Sequence, residues 1–410
     1  MRRSWLVAGA VVALAVTAFA VARVFAPGDT LDRAHGPYPA PVAAYGRVYG
    51  ELMHAPLLVG TRMRVYGAQN RIWADGPVDD KMPTSALWAL RRWPAQLVGV
   101  VADERVVVSR WSDGKVVAID PDTGRIAWRA DVGTGTVTAY QGRRTGAITL
   151  YEPSDFYLTS GTDGGPVVVS VGAEGRLTAL DGMTGRVLWR QQAGGTAKCR
   201  RVFTAPTLVV VLTPCTSLST VDMYDATTGQ PPTRRPHGPD GADMWPIGCA
   251  VGRSGCTGLI GLNGGWLIGP DGAFTAAPAL TGTDSWLVGH LVVHASGGHI
   301  VAHDAVTGAA AWSWPADDAT GTGARIVAVE PDLVHVVTPD RELVNLAAAT
   351  GLERSRYPAH VKGEDKPWAP GHVYASHGYV VIERLRPGGR PEQKDSQYYY
   401  PFPTVLLTGS

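Results

Sequence analysis

Ser112-Asp113-Gly114-Lys115-Val116-Val117-Ala118-Ile119-Asp120-Pro121-Asp122-Thr123-Gly124-Arg125-Ile126-Ala127-Trp128 is the stretch that decides the fold. An apolar triplet, Val106-Val107-Val108, precedes it and reads as a buried strand. Asp113-Gly114 reads as a hairpin turn, because glycine takes a positive φ without steric cost. Val116 to Asp120 is then a second strand. Asp120-x-x-Thr123-Gly124 is a second turn, in which a carboxylate and a hydroxyl can accept bonds from nearby backbone N–H groups. Trp128 closes the unit with a large ring that has to be buried against a neighbouring unit.

The unit recurs. A second copy carries Val167-Val168-Val169, Ala179, Asp181, Thr184, Gly185 and Trp189. A third keeps Asp225, Thr228 and Gly229 but has Thr233 where the tryptophan is expected. Another full copy has Ala302, Asp304, Thr307, Gly308 and Trp312, and a weaker one has Thr350-Gly351 with Ala347 and Ser355 replacing Asp and Trp. The glycines at 124, 185, 229, 308 and 351 are spaced by 61, 44, 79 and 43 residues. Units of about 40 residues fit a propeller. The long first spacing implies an insertion within Gln141–Gly165, and the spacing of 79 implies a degenerate unit over Met244–Leu280. Further strands are expected at Met63–Asp75, Leu97–Val101, His372–Glu383 and Pro403–Gly409, the last a candidate to close the ring. The composition agrees: 50 Gly and 30 Pro with 18% charged residues suit short strands and tight turns.

The pattern Ala-x-Asp-x-x-Thr-Gly-(three residues)-Trp resembles the repeat of PQQ-like, tryptophan-docking β-propellers, in a non-enzymatic branch. The resemblance implies an all-β toroid of seven or eight four-stranded antiparallel blades, with the Trp rings locking adjacent blades. It implies no particular activity, because one fold carries many functions. Quinone-dependent dehydrogenases of this class use a Ca²⁺ site and often a disulfide between adjacent cysteines. No adjacent cysteine pair occurs here, and no quinone or Ca²⁺ ligands can be matched to named positions.

The N-terminus sets the compartment. Met1-Arg2-Arg3-Ser4 precedes an apolar run from Trp5 to Ala22, which extends past Arg23 to Phe25. Such a run nearly spans a hydrocarbon core of about 30 Å. Arg2 and Arg3 place the N-terminus in the cytoplasm. The expected organisation is a transmembrane signal anchor over 1–26, a Pro/Ala/Gly-rich linker over 27–50 and an extracytoplasmic propeller over 51–410. The alternative is a cleaved signal peptide and secretion. With 37 basic and 36 acidic residues, the net charge of +1 gives no reason to expect nucleic acid.

An exported domain with Cys199, Cys215, Cys249 and Cys256 is expected to form disulfides. The local pairs 199–215 and 249–256 are favoured over the other two connectivities. Asp120 to Gly124 superficially matches the start of a calcium loop but lacks its later ligands. A hairpin turning at Ala295–Gly298 would set His294 opposite His299 and His290 opposite His303, a weak two-histidine metal candidate. Asp240 and Trp245 mark one aromatic loop, and Tyr398, Tyr399 and Tyr400 mark another, each a candidate binding loop. No P-loop, nucleophile elbow or HExxH motif is present. No catalytic residue and no cofactor is expected. The leading expectation is a non-catalytic binding or scaffold module for a protein, peptide or envelope glycan. The alternatives are a quinone- or metal-dependent oxidoreductase, and a ligand sensor or carbohydrate-active enzyme using carboxylates at the central channel.

Overall fold

The computed structural model describes residues 28–34, 40, 46–76, 86–134, 145–214, 220–230, 233–236, 244–261, 264–282, 284–316, 323–360, 363–364, 366–391 and 404–408. They form eight antiparallel sheets, six of them simple meanders of sequence neighbours and two, blades 1 and 8, meanders completed by an outermost strand from elsewhere in the chain. Blade 1 is Leu57–Val59, Met63–Ala68, Arg71–Asp75 and Trp88–Trp93, with Gly28–Arg33 added outermost. Blade 2 is Leu97–Ala102, Val107–Trp111, Lys115–Ile119 and Ile126–Asp131. Blade 3 is Phe156–Ser160, Pro166–Val171, Arg176–Asp181 and Val187–Gln192; blade 4 is Arg201–Ala205, Leu208–Thr213, Thr220–Asp225 and Thr233–Pro236. Blade 5 is Trp245–Ile247, Gly258–Gly261, Gly264–Ile268 and Phe274–Ala277; blade 6 is Trp286–Val288, Leu291–Ser296, His299–Asp304 and Ala310–Pro315. Blade 7 is Arg325–Glu330, Leu333–Val337, Glu342–Ala347 and Glu353–Pro358. Blade 8 is composite: Ala369–Ser376, Tyr379–Leu385 and Thr404–Thr408, completed by Val48–Leu52 from the other end of the chain.

Apolar cores bridge each sheet to the next, which makes this a closed β-propeller. Separate clusters join blades 2 and 3, 3 and 4, 4 and 5, 5 and 6, 6 and 7, and 7 and 8. The largest cluster joins blade 8 to 1 and 1 to 2. First strands touch between blades 2 and 3, 3 and 4, 6 and 7, and 7 and 8, as expected if the first strands line the centre of the ring. Ring closure uses Thr404–Thr408, as its sequence suggested, held between Tyr379–Leu385 and Val48–Leu52. A buried guanidinium reinforces the joint. Arg384 is fully buried; its Nη2 donates to Glu51 Oε1 at 2.7 Å and its Nη1 to Glu364 Oε1 at 2.7 Å.

The tryptophans latch neighbouring blades as the repeat implied. Trp128 Nε1 donates to the Gly182 carbonyl of blade 3, Trp189 Nε1 to Ala226 of blade 4, and Trp312 Nε1 to Ala348 of blade 7, each at 2.8 Å. Each ring lies on the Thr-Gly glycine of the receiving blade. A Cβ on Gly185, Gly229 or Gly351 would stand 2.5 Å from the ring of Trp128, Trp189 or Trp312. These glycines also have φ near +71°, +60° and +69°. The seam between blades 5 and 6 has no such ring on Gly308 among the described residues. There the backbone N–H of Ala279 donates to Ala305 O at 3.3 Å, on the carbonyl that takes an indole elsewhere.

Two placements differ from the sequence reading. Residues 28–33 and 48–50, read as part of a linker, are strands paired at the outer edges of blades 1 and 8. Gly28–Arg33 is polar because an outermost strand has little to bury; Leu31 alone packs on the core. The apolar run 5–25 lies outside the described residues, and among them no helix is long and apolar enough to cross a membrane.

Candidate functional site

The centre of the ring, where a propeller's loops converge, is filled by two segments of the chain itself. The first is the insertion between blades 2 and 3, from Val132 to Asp155, whose described part includes the short helix Ala147–Tyr151. It enters from the rim where the first strands begin. Ala147, Leu150 and Tyr151 belong to the largest core cluster, and the helix touches the first strands of blades 2 and 8. Space is tight: a Cβ on Gly67 would stand 3.4 Å from Leu150, and one on Gly99 2.7 Å from Pro153.

Polar bonds pin this plug. Thr145 Oγ1 donates to Glu383 Oε1 at 2.6 Å, and the His372 N–H donates to Glu383 Oε2 at 3.1 Å. Glu383 is fully buried. The Tyr151 hydroxyl donates to Pro56 O at 2.6 Å, and its ring stacks on Tyr374 at 5.1 Å. Burial pushes the Tyr151 phenol well above its usual range and that of Tyr374 up to about 12, so both remain neutral. Glu152 reaches His372 Nδ1 at 3.2 Å.

The second segment enters from the opposite rim. It is the connection between the first two strands of blade 5, closed by the expected Cys249–Cys256 disulfide. Thr204 N–H donates to Arg253 O, Cys256 N–H to Thr204 O, and Leu158 N–H to Ser254 Oγ, so the loop is stitched to the first strands of blades 3 and 4. A Cβ on Gly252 would stand 2.7 Å from the Tyr151 carbonyl. The two segments therefore meet inside the ring. Cys199 is also disulfide-bonded, and its expected partner Cys215 lies outside the described residues.

The repeat residues are turn builders. Asp120, Asp181, Asp225 and Asp304 each accept from the backbone N–H groups two and three residues on. The hydroxyls of Thr123, Thr184, Thr228 and Thr307 accept from the N–H two residues on. Asp120 thus spends its carboxylate on its own turn.

The histidine hairpin has a different register from that expected. It turns at Gly297–Gly298, so Ser296 lies opposite His299, His294 opposite Val301, and Val292 opposite His303. The double glycine allows a two-residue turn, two residues tighter than the four-residue loop read from the sequence. His294 stacks on His303 at 5.6 Å, while His299 is exposed and contacts Gly297 O. The weak metal candidates His294 and His299 are therefore not directly opposite each other, and among the described residues no three His, Cys, Asp or Glu are grouped to hold a metal ion.

Of the candidate binding loops, Asp240 and Tyr398, Tyr399 and Tyr400 lie outside the described residues. Trp245 begins blade 5 and is 46% exposed, with the Arg201 guanidinium 3.6 Å over its ring. Arg201 also donates to Met244 O at 2.9 Å. This Arg–Trp pair lies on the rim from which the plug enters, and it has the composition of a protein-binding hot spot.

The family profile for the PQQ-like repeats described as "Outer membrane protein assembly factor BamB" matches residues 46–161, 112–232 and 266–381. The chain belongs to this family. In this BamB-type member the match omits 233–265, where Thr233 replaces the latch tryptophan and the disulfide-closed loop is inserted. No curated protein matches. Among solved structures, BamB from Moraxella catarrhalis is 14% identical, covering 90% of this chain and 99% of that one, with a TM-score of 0.41. The computationally designed Ika8 protein is 16% identical (88% and 100% covered, TM-score 0.47), and the C-terminal WD40 domain of Sif2 is 12% identical (90% and 100%, TM-score 0.49).

Sequence reasoning missed the polar anchors of the ring. Glu383 meets Thr145 across 238 residues, and Arg384 meets Glu51 across 333. Their one signal was Glu383-Arg384 at the end of the apolar run Tyr379-Val380-Val381-Ile382. In a strand such neighbours point to opposite faces, and both are buried.

Proposed function

We propose that this chain is a non-catalytic, protein-binding propeller, held on the extracytoplasmic face of a membrane by the apolar run 5–25. The observation that carries the reading is the filled ring centre. The space a cofactor or substrate would need is taken by Leu150, Tyr151 and the loop 249–256, and the carboxylate there, Glu383, is committed to Thr145 and His372. Binding then falls to the rim and the outer edges, where Trp245 and Arg201 offer an aromatic–guanidinium pair. The family description, an outer membrane assembly factor, favours a protein as the partner.

Crosslinking of intact cells that express the full chain, followed by mass spectrometry of the adducts, tests this. A discrete set of envelope proteins, lost in a Trp245→Ala, Arg201→Ala variant that folds normally, is the expected result. A purified chain that carries a stoichiometric small molecule and yields no protein adduct would overturn it.

A further inference from the structure

The strand Gly28–Arg33 ties the membrane-proximal end of the chain to one place on the ring. Gly28 pairs with Trp93, and Thr30 with Arg91, at the outer edge of blade 1. Three residue steps separate Phe25 from Gly28, a reach of at most roughly 11 Å, and even from Ala22 the limit is about 22 Å. The headgroup layer occupies roughly 5–7 Å on each side of the hydrocarbon core. A domain of this length has a radius of gyration of roughly 21 Å. A chain crossing the bilayer at 5–25 therefore holds this edge at the lipid surface, and the far side of the ring cannot take its place.

The side chains beside this edge have a matching chemistry. Trp93 is 43% exposed, one of few large apolar side chains so placed. Exposed tryptophan is characteristic of the bilayer interface. Beside it, Arg91 lies directly across from Arg71. Like charges in that position oppose strand pairing. Neither guanidinium is in an ion pair among the described residues; Arg71 covers the Trp73 ring at 5.0 Å. The neighbouring acids are largely committed: Asp29 and Asp113 both accept from Arg92, leaving Asp32. A phosphate set between Arg71 and Arg91 would turn their repulsion into two charge-assisted hydrogen bonds.

We propose that the face of blade 1 beside Gly28, which carries Trp93, Arg91 and Arg71 on the two strands next to the added one, lies against the membrane and binds the phosphates of anionic phospholipid headgroups. This rests on the membrane-anchor reading above.

The test uses the full chain in bilayer nanodiscs of phosphatidylcholine, with or without phosphatidylglycerol. A photo-crosslinking residue replaces Trp93 or, as a control on blade 7, the exposed Leu352. Carbonate extraction of membranes from expressing cells checks the anchor separately. The expected result is lipid adducts at 93 well above those at 352, enhanced by phosphatidylglycerol. Arg71→Gln and Arg91→Gln should each lower that enhancement roughly fivefold, since a basic side chain near an anionic surface contributes about 1 kcal/mol. Equal adducts at 93 and 352, or adducts at 93 indifferent to phosphatidylglycerol, with the chain still resisting extraction, would overturn the headgroup proposal and leave the anchor standing. Release of the chain by carbonate would instead remove the anchor, and this proposal with it.

Discussion

Gly185 and Gly308 occupy the same turn position in blades 3 and 6, with φ of +71° in both. They differ in what lies against them. A Cβ on Gly185 would stand 2.5 Å from Trp128, whereas one on Gly308 meets nothing within 4 Å among the described residues. Alanine at either site incurs the left-handed backbone strain, about 1–2 kcal/mol. At Gly185 it must also displace a buried indole bonded to Gly182 O, an overpacking term of about 1–3 kcal/mol. Gly308→Ala should therefore destabilise by about 1–2 kcal/mol and Gly185→Ala by about 2–5. Trp128→Ala alone should cost about 3–5 kcal/mol through the lost ring. In the Trp128→Ala background, Gly185→Ala should fall back to the backbone term. The double-mutant cycle should show a coupling of about 1–3 kcal/mol. Equilibrium unfolding in guanidinium, followed by near-ultraviolet circular dichroism, measures all four variants. Equal costs for Gly185→Ala and Gly308→Ala, with no coupling to Trp128, would refute the argument that the docked ring, beyond the turn itself, requires glycine.

Thr145→Val removes the hydroxyl bond to the buried Glu383 carboxylate and should cost about 1.5–3 kcal/mol, with faster amide exchange across 147–151 but not in blade 6. Reducing Cys249–Cys256 opens an eight-residue loop; the chain-entropy relation gives about 2.5 kcal/mol, and exchange should rise in 250–256 and at its partner Thr204. Burial, and then the charge of His303, holds the His294 imidazole below its ordinary range. Its neutral form is thus favoured by folding, so the stability it contributes is complete above the unfolded histidine value near 6.5 and is lost as pH falls through the lower folded value. The melting temperature should accordingly drop between neutral pH and pH 5, and His294→Gln should flatten that slope.

The repeat was legible because each blade carries its instructions locally. Asp120, Thr123 and Gly124 bond within five residues, so their spacing survives in the sequence as a pattern. The latch tryptophans were legible for the same reason, since each sits at a fixed distance from its turn, although the glycine each one covers belongs to the following blade. Blade 5 was legible as a gap in the spacing, and the pair Cys249–Cys256 as a short closed turn. The histidine hairpin was misread by two residues because a double glycine permits a tighter turn than the loop assumed. Gly28–Arg33 was misread because an outermost polar strand has no apolar alternation to reveal it.

The sequence by itself determined the blade and the turn chemistry, because these depend on residues within one hairpin. Tertiary structure alone decided which polar groups pin the ring closed and what occupies its centre. Glu51 meets Arg384, and Thr145 meets Glu383, only after the chain has travelled around the whole ring. No periodicity records a contact of that range. Buried charges at such joints are satisfied by partners that geometry supplies, and spacing along the chain does not reveal them.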